Sequence, residues 1–351
     1  MGSILDVLPH EGALFAGRTG ALPLPDGRFL LVGAGSATIA EAATEPPNNT
    51  VPAPDDALPV RRPTYMDAYP LLGFPSPAAA GEGQGEGTLQ AAFHAFWPKR
   101  NEPDEYVRQD PYTGGMIRVA QAVRVAPAAV ALSYRLAVGQ PSDPEVAYQL
   151  RKAVQGMADA ATMLELPVLA GELRTEATLG LWPSLEVFAH AAEAAAPTPD
   201  PHAGDAVALV GRMTNDLGGS LYLGSSESFP PPIDLVVEGR VLEIVGQLGG
   251  ATPLGRGGLL LTLARCCARA RLGIRVTLPE AWRSLSLAAV LFGEAQSRFL
   301  VFLPPNRISE LLELAEPLAV PVETLGELSG PDLALDGIIN LDVRELHRWT
   351  S

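Results

Sequence analysis

The chain has 351 residues, of which 47% are hydrophobic and 19% are charged, which is enough for two globular domains of ordinary size. Its formal net charge of −15 argues against nucleic acid and anionic membrane surfaces as partners, because both are polyanions. The two cysteines, Cys266 and Cys267, are adjacent, which excludes a disulfide framework and predicts two small apolar core residues.

The first half of the chain predicts an α/β domain over residues 1–195. Apolar residues alternate on both sides of Pro25-Asp26-Gly27, which predicts a β-hairpin over Arg18–Val32. Segments 45–63 and 75–87 are rich in proline, glycine and polar residues, so we expect them to be mobile surface loops.

Helices and strands alternate from Tyr106 onward. The predicted elements are a helix over Thr113–Val125 that Gly114-Gly115 opens, a strand over Ala128–Val138, a helix from the Asp143-Pro144 cap to Leu164, and short strands over Pro167–Leu169 and Leu181–Ala189. Upstream, Val32–Thr38 follows a strand in the manner of a dinucleotide-binding loop. Thr38 stands where the third glycine belongs, so an ordinary turn is the favoured interpretation.

An alanine- and proline-rich segment over 194–204 marks a boundary, and a second domain is predicted over residues 201–351. Its predicted elements are a strand over Ala206–Gly211, a helix over Leu259–Arg271 that Gly257-Gly258 opens, a strand over Phe299–Leu303, a helix from Pro304-Pro305 to Leu314, and a last clear strand over Val320–Leu325. The whole pattern predicts an α/β (α+β) fold. Residues 1–9 lack a signal-peptide pattern and no apolar run reaches about 18 residues, so we expect a cytoplasmic protein with no membrane partner.

Six segments together carry a family resemblance. They are Tyr106–Gly115, Val138–Pro141, Pro167–Gly171, Leu217–Leu223, Gly257–Leu259 and Leu291–Phe299. In order and spacing they resemble the C-terminal half of the phosphoribosylformylglycinamidine synthase family, within the aminoimidazole ribonucleotide (AIR) synthetase-like superfamily. The resemblance extends over residues 106–326, whereas the first hundred residues match poorly. It identifies the chain as a single diverged module of that superfamily.

The resemblance implies a two-domain architecture. The N-terminal α/β domain pairs with a second such domain to close a β-barrel, and the C-terminal domain is a sheet flanked by helices. We therefore expect a homodimer or a complex with a related synthase module. The resemblance also implies a region that binds nucleotide. Its expected residual members are Asp110, Gly114, Gly115, Gly218, Gly219, Arg256, Gly257, Gly258 and Glu294.

Several ligand positions of that region carry other residues in this chain. The helix after Asp110 has a Glu and, four residues on, an Asn in the family, and both would face one side of the helix. Here these positions hold Gln121 and Val125. On the next strand Tyr134 and Ala137 stand where the family has an Asp and an Asn. Magnesium prefers hard oxygen ligands such as carboxylates, and these replacements remove them.

The second domain shows the same kind of loss. The family's His-Asp pair corresponds to Thr252 and Pro253, and its Asp directly before Gly-Gly corresponds to Arg256. An arginine at a former metal-ligand position supplies a cation instead of binding one. Its nearest candidate carboxylate partner in the family's geometry is Asp110, Glu294 is the second candidate, and the alternative is an arginine that points to solvent.

These replacements predict a chain with no catalytic residues and no metal ligands. No cofactor is expected, and magnesium with ATP or ADP would bind only if the ancestral site survives. Glu294 and Arg298 match a Glu and an Arg of the family and form either a helix-type structural pair or part of a residual pocket. The first hypothesis is a non-catalytic homologue that acts as a dimeric scaffold or partner subunit linked to purine biosynthesis. The alternative is an active ATP-dependent carbon–nitrogen ligase of that pathway with a rearranged site.

Overall fold

The computed structural model describes residues 21–23, 29–33, 36–40, 105–140, 142–191, 201–223, 229–248, 251–335 and 338–348. The chain divides into two compact units, and the change from one to the other falls between the described residues Ala191 and Pro201. The loops predicted over 45–63 and 75–87 lie outside the described residues. The domain limits 1–195 and 201–351 stay a prediction.

The first unit begins with a three-stranded antiparallel sheet of β1 (Ala21–Pro23), β2 (Phe29–Gly33) and β3 (Ser36–Ala40). Pairing of β1 with β2 confirms the predicted hairpin. Gly33 of β2 pairs with Ser36 of β3. The described chain after β2 thus continues in an antiparallel strand and not in a crossover helix, so the strand–helix context of a dinucleotide loop is missing.

The rest of this unit alternates helices and strands. It contains α1 (Glu105–Gln109), α2 (Pro111–Val125), β4 (Ala129–Val138), α3 (Pro144–Met163), β5 (Val168–Thr175), a 3-10 turn (Ala177–Leu179) and β6 (Ser184–Ala191). β4 lies in the middle of a second sheet, parallel to β5 and antiparallel to β6. β5 continues well beyond the predicted short strand over Pro167–Leu169, because its pairing with β4 extends to Thr175.

Two helices of this unit begin at the same local signal. The carboxylate of Asp143 accepts a hydrogen bond from the backbone N–H of Glu145, as predicted for the cap of α3. Asp110 does the same for α2 by accepting from the backbone N–H of Thr113, with proline at the first helical position. The predicted start of α2 at Thr113 is therefore wrong by two residues. Gly114-Gly115 lies inside the helix instead of opening it.

The second unit is built on a seven-stranded sheet in the order β13-β12-β9-β11-β7-β10-β8. Its elements are β7 (Ala206–Val210), α4 (Leu235–Leu248), β8 (Ala251–Pro253), α5 (Gly258–Ala270), β9 (Ile274–Val276), α6 (Leu287–Phe292), β10 (Phe299–Leu303), α7 (Ile308–Ala315), β11 (Val322–Leu328), β12 (Asp332–Leu335), β13 (Ile339–Asp342) and α8 (Val343–Arg348), with 3-10 turns at Glu280–Trp282 and Pro305–Arg307. Every residue of β7 and β10 is buried, which marks them as central strands.

The predicted fold class, a mixed α/β protein with a sheet flanked by helices, is confirmed. The interpretation of Val320–Leu325 as the last strand is wrong, because β12 and β13 follow it and pair with each other. Each has only four residues, too few to show a clear alternation in sequence. In the described parts of the chain, no helix combines the length and apolar character needed to cross a membrane. Closure of a barrel by a second module stays a prediction.

Candidate functional site

The predicted site residues are divided between the two units. Asp110, Gly114 and Gly115 lie at α2 in the first unit; Gly218, Gly219, Arg256, Gly257, Gly258 and Glu294 lie in the second, where hydrogen bonds connect several of them at the start of α5.

The glycine pair of α2 serves helix packing. A Cβ atom on Gly115 would collide with the carbonyl oxygen of Ala153 on α3, and one on Gly156 would collide with the carbonyl oxygen of Tyr112 on α2. A Cβ on Gly114 would collide with the backbone of Val107 on α1. All three glycines are buried, so they allow the helices to approach backbone to backbone.

The carboxylate of Asp110 is committed to its own helix. One oxygen accepts hydrogen bonds from both the backbone N–H and the hydroxyl of Thr113. Further along α2, Gln121 accepts from Arg118 at 3.3 Å, and Val125 is 80% exposed at the helix end. This helix face therefore presents an amide and an aliphatic side chain where the family has a carboxylate and an amide.

Tyr134 fills space on the neighbouring strand. Its side chain is buried, and a Cβ atom on Gly171 of β5 would collide with its phenol ring. Burial raises the pKa of the Tyr134 phenol well above its usual value, so the group stays neutral at physiological pH. A neutral ring over Gly171 now occupies a position that the family uses for an aspartate.

A buried carboxylate organises the second group. Oε1 of Glu294 accepts hydrogen bonds from the backbone N–H of Leu221 at 2.8 Å and of Gly257 at 2.7 Å. Oε2 accepts from Nη1 of Arg256 at 2.9 Å. Glu294, the second of the two candidate carboxylates, is thus a partner of Arg256, and the side chains of this ion pair are only 1% and 3% exposed. The alternative of an Arg256 that points to solvent is therefore wrong.

Two glycines fix the chain beside this pair. Gly257 caps α5 with φ of +86° and Gly258 follows with φ of +67°, a region that disfavours residues with a Cβ atom. A Cβ on Gly258 would also collide with the backbone of Leu291 to Gly293. The glycine pair that opens α5 therefore brings the helix start against the segment that carries Glu294.

Arg298 holds the backbone of that segment. Its guanidinium donates to the carbonyl oxygens of Gly293 at 2.7 Å and Ala295 at 2.9 Å, the two residues that flank Glu294. The segment between Phe292 and Phe299 is not helical, so the helix-type pairing interpretation of Glu294 and Arg298 is wrong. Arg298 acts on the backbone and thereby fixes the direction of the Glu294 side chain.

A second buried carboxylate was missed by the sequence analysis. Glu238 of α4 is fully buried and accepts a hydrogen bond from the hydroxyl of Ser297 at 2.5 Å. The two residues are 59 positions apart, and no local pattern connects them. The cysteines behave as predicted: both are free and buried, and burial raises the pKa of the Cys267 thiol to about 12.

The side chains at the family's ligand positions do not supply the ligand atoms that a magnesium–phosphate site needs. Within the described ranges, no group of three or more His, Cys, Asp or Glu side chains could hold a metal ion. Asp110 caps a helix, Val125 has no ligand atom, and Arg256 contributes a positive charge. Magnesium needs oxygen ligands, mainly carboxylates, and these positions do not supply them.

Comparison with known proteins places these features in a family. The model described as AIR synthase related protein, C-terminal domain, matches residues 203–335. The phosphoribosylformylglycinamidine synthase subunit PurL of Anaeromyxobacter dehalogenans is 33% identical over 277 residues, which cover 68% of this chain. The chain is a relative of the AIR synthase-related proteins. The same subunit of Caulobacter vibrioides is 30% identical over 273 residues, 69% of this chain.

The match covers only part of those relatives. It spans 35% of the length of each PurL subunit, so this chain corresponds to about a third of such a protein. Among solved structures, PurLQS from Thermotoga maritima superposes with a TM-score of 0.57 at 21% identity, over 70% of this chain and 43% of that one. The PurL of T. maritima complexed with FGAR gives 0.55 at 19% identity, over 69% and 44%. These structures support the fold, and the predicted resemblance to the synthase is confirmed.

Proposed function

We propose that this chain is a non-catalytic relative of PurL that acts as a dimeric scaffold or partner subunit in purine biosynthesis. The observation that carries the proposal is that residues without carboxylate or amide ligand atoms occupy three of the family's ligand positions. One holds the exposed aliphatic side chain of Val125, one holds the buried ring of Tyr134, and one holds Arg256 in an ion pair with Glu294.

The electrostatics support this proposal. Triphosphate carries several negative charges, and magnesium links them to protein carboxylates in metal-dependent nucleotide sites. A chain without those carboxylates has no bridge for the metal. Glu294, the retained acid of the second unit, already has its two oxygens engaged by the protein.

The exposed face of the sheet formed by β4, β5 and β6 is the surface that we propose for contact with a partner. Leu132 and Leu136 of β4 are buried on one face, whereas Arg135, between them, is exposed. On β6, Glu186 pairs with Arg135 at 3.0 Å, and Phe188 is 45% exposed beneath the Arg135 guanidinium. A sheet face with an exposed phenylalanine and a matched ion pair fits a second copy of this chain or a related module.

An active ATP-dependent ligase is the second candidate. PurL of T. maritima has been solved complexed with ATP and with ADP, and this chain keeps Asp110, Glu294 and all three glycine pairs. For this candidate the chain would need oxygen ligands from other positions.

Calorimetry of the full chain with ATP, in the presence and absence of magnesium, tests the non-catalytic proposal. We expect no magnesium-dependent binding in the micromolar range and no ATP hydrolysis above background. Tight binding that requires magnesium would favour the ligase and remove the non-catalytic proposal.

Light scattering at micromolar concentration tests the assembly. We expect a dimer, and Phe188→Glu should dissociate it, because a charge would be buried in the contact. Val236→Glu is the matched control, since Val236 of α4 is 49% exposed in the second unit. A monomeric wild-type chain that captures no related module, or a dimer lost only in Val236→Glu, would refute the sheet-face assignment.

A further inference from the structure

Two arginines on one face of α5 carry positive charges without a carboxylate of their own. Arg265 and Arg269 are four residues apart, so their side chains are neighbours on the helix surface. Among the described residues, neither arginine forms an ion pair with an Asp or a Glu. Like charges at this spacing repel each other. The chain has 40 acidic and only 25 basic residues, so a shortage of acids does not explain the missing partner.

The guanidinium group of Arg265 is anchored at one nitrogen and open at the others. Nη1 donates to the backbone carbonyl oxygen of Arg256 at 3.0 Å, whereas the remaining nitrogens make no hydrogen bond in the described structure and stay accessible to water. Burial lowers the pKa of Arg265, and the charge of Glu294 offsets only part of this effect. Glu294 is already paired with Arg256, so Arg265 holds a partly desolvated charge to which an anion would be strongly attracted.

Both arginines lie near the place where α5 faces β8, the outermost strand of the sheet. The side chain of Cys266 forms a hydrogen bond with Thr252 of β8. Burial raises the pKa of the Cys266 thiol, and the charges of Arg269 and Arg265 act in the opposite direction, which places both guanidinium groups close to this residue. Arg269 is exposed, so a solute can reach this edge of the sheet from water.

We propose that the guanidinium groups of Arg265 and Arg269 bind a phosphate group, free or esterified, without a metal ion. The planar fork of N–H donors on each guanidinium matches the oxygens of a phosphate group. A dianion between the two side chains would also relieve their mutual repulsion. This inference goes beyond the proposed function, because it requires no magnesium and applies equally to a scaffold and to a ligase.

Thermal unfolding of the full chain in EDTA tests the site. Sodium phosphate is compared with sodium chloride of equal ionic strength, so that general screening cancels. Phosphate at ten times its dissociation constant should raise the melting temperature by about 3–6 °C. Methyl phosphate is the second probe. A response to both compounds identifies a site that accepts phosphate esters, and a response to inorganic phosphate alone identifies a site for the free ion.

Arg269→Gln is the decisive variant, because its exposed side chain can be changed without disturbing the core. It should weaken phosphate binding about tenfold or more, through loss of a charged hydrogen-bond donor. Arg265→Gln should weaken binding at least as much, and Arg265→Lys, which keeps the charge without the fork, should be intermediate. Arg275→Gln is the matched control. It removes one positive charge from an exposed position of β9 and should leave the phosphate affinity unchanged.

A purely structural role of Arg269 makes a different prediction. Arg269 lies in the last turn of α5, where a cation interacts favourably with the helix dipole. With that role alone, Arg269→Gln would lower the melting temperature equally in phosphate and in chloride. Such a result would overturn the proposal, as would a wild-type chain that shows no phosphate response up to 50 mM or an equal loss of affinity in Arg275→Gln.

Discussion

Two arginine–glutamate pairs of the second unit have nearly the same nitrogen–oxygen distance and very different surroundings. Arg256 and Glu294 lie 2.9 Å apart with side chains that are 3% and 1% exposed. Arg307 and Glu310 lie 2.8 Å apart at the start of α7 with side chains that are 37% and 48% exposed. The first pair joins residues 38 positions apart, and the second joins residues one helical turn apart.

The difference teaches that distance alone does not set the energy of an ion pair. Water screens the exposed charges of Arg307 and Glu310, so their attraction contributes little to stability. Around Glu294 water is excluded, and each lost partner leaves a charge or an N–H group unsatisfied in the interior.

The largest effect is expected for Glu294→Ala. This change leaves the Arg256 guanidinium without its carboxylate and deprives the N–H groups of Leu221 and Gly257 of their acceptor. The free energy of unfolding should fall by about 3–5 kcal/mol, measured by urea denaturation. Glu310→Ala is the matched control and should leave the urea midpoint unchanged. Equal losses in the two variants would show that burial does not distinguish the pairs.

Gly258→Ala should lower the free energy of unfolding by a smaller amount than Glu294→Ala. The residue has a positive φ, and a Cβ there would collide with the backbone next to Glu294. Overpacking and backbone strain should together lower the free energy of unfolding by about 1–3 kcal/mol. Gly255→Ala is the control, because a Cβ on Gly255 meets nothing within 4 Å. Comparable urea midpoints for the two variants would mean that α5 can shift away from the Glu294 segment.

Local signals made a large part of this fold predictable. Asp143-Pro144 correctly predicted the start of α3, and Gly257-Gly258 correctly predicted the start of α5. The same aspartate–proline signal at Asp110-Pro111 was overlooked in favour of the glycine pair that follows. A glycine pair is ambiguous in sequence, since it can supply a positive φ at a helix start or a close contact inside a helix.

The centre of the candidate site was only partly predictable. The resemblance favoured Asp110 over Glu294 as the partner of Arg256, whereas the structure pairs Arg256 with Glu294. The bonds from Leu221 and Gly257 to Glu294 join residues 73 and 37 positions apart. Such contacts arise from the packing of the whole unit, so no local periodicity reveals them.

Asp110→Ala tests a carboxylate whose role is local. Among the described residues, its hydrogen bonds reach only Thr113, three residues away, at the start of α2. Loss of this cap should lower the free energy of unfolding by about 1 kcal/mol, less than the loss expected at Glu294. Asp143→Ala, which removes the equivalent cap of α3, should have a similar effect in the same urea experiment. A loss at Asp110 several times larger than at Asp143 would indicate a role beyond capping.

The smallest effect is expected for the exposed pair of Arg307 and Glu310, where it should be visible as a change in the pKa of Glu310. Hydrogen bonds from Arg307 lower the pKa of Glu310 below its ordinary value of 4.5, and the positive charge of Arg307 adds to them. Because the folded pKa is depressed, any stability from this pair is present above the unfolded pKa and is lost as the pH falls through the folded pKa. Arg307→Gln should therefore raise the pKa of Glu310, followed by NMR titration between pH 2 and 6. Arg307→Lys keeps the charge but loses the two-point hydrogen bond. The pKa of Glu310 in this variant should therefore lie between its values in wild type and in Arg307→Gln. Since water screens this pair, the melting temperatures of all three proteins should coincide at neutral pH, and a clear loss in Arg307→Gln would erase the contrast with Arg256 and Glu294.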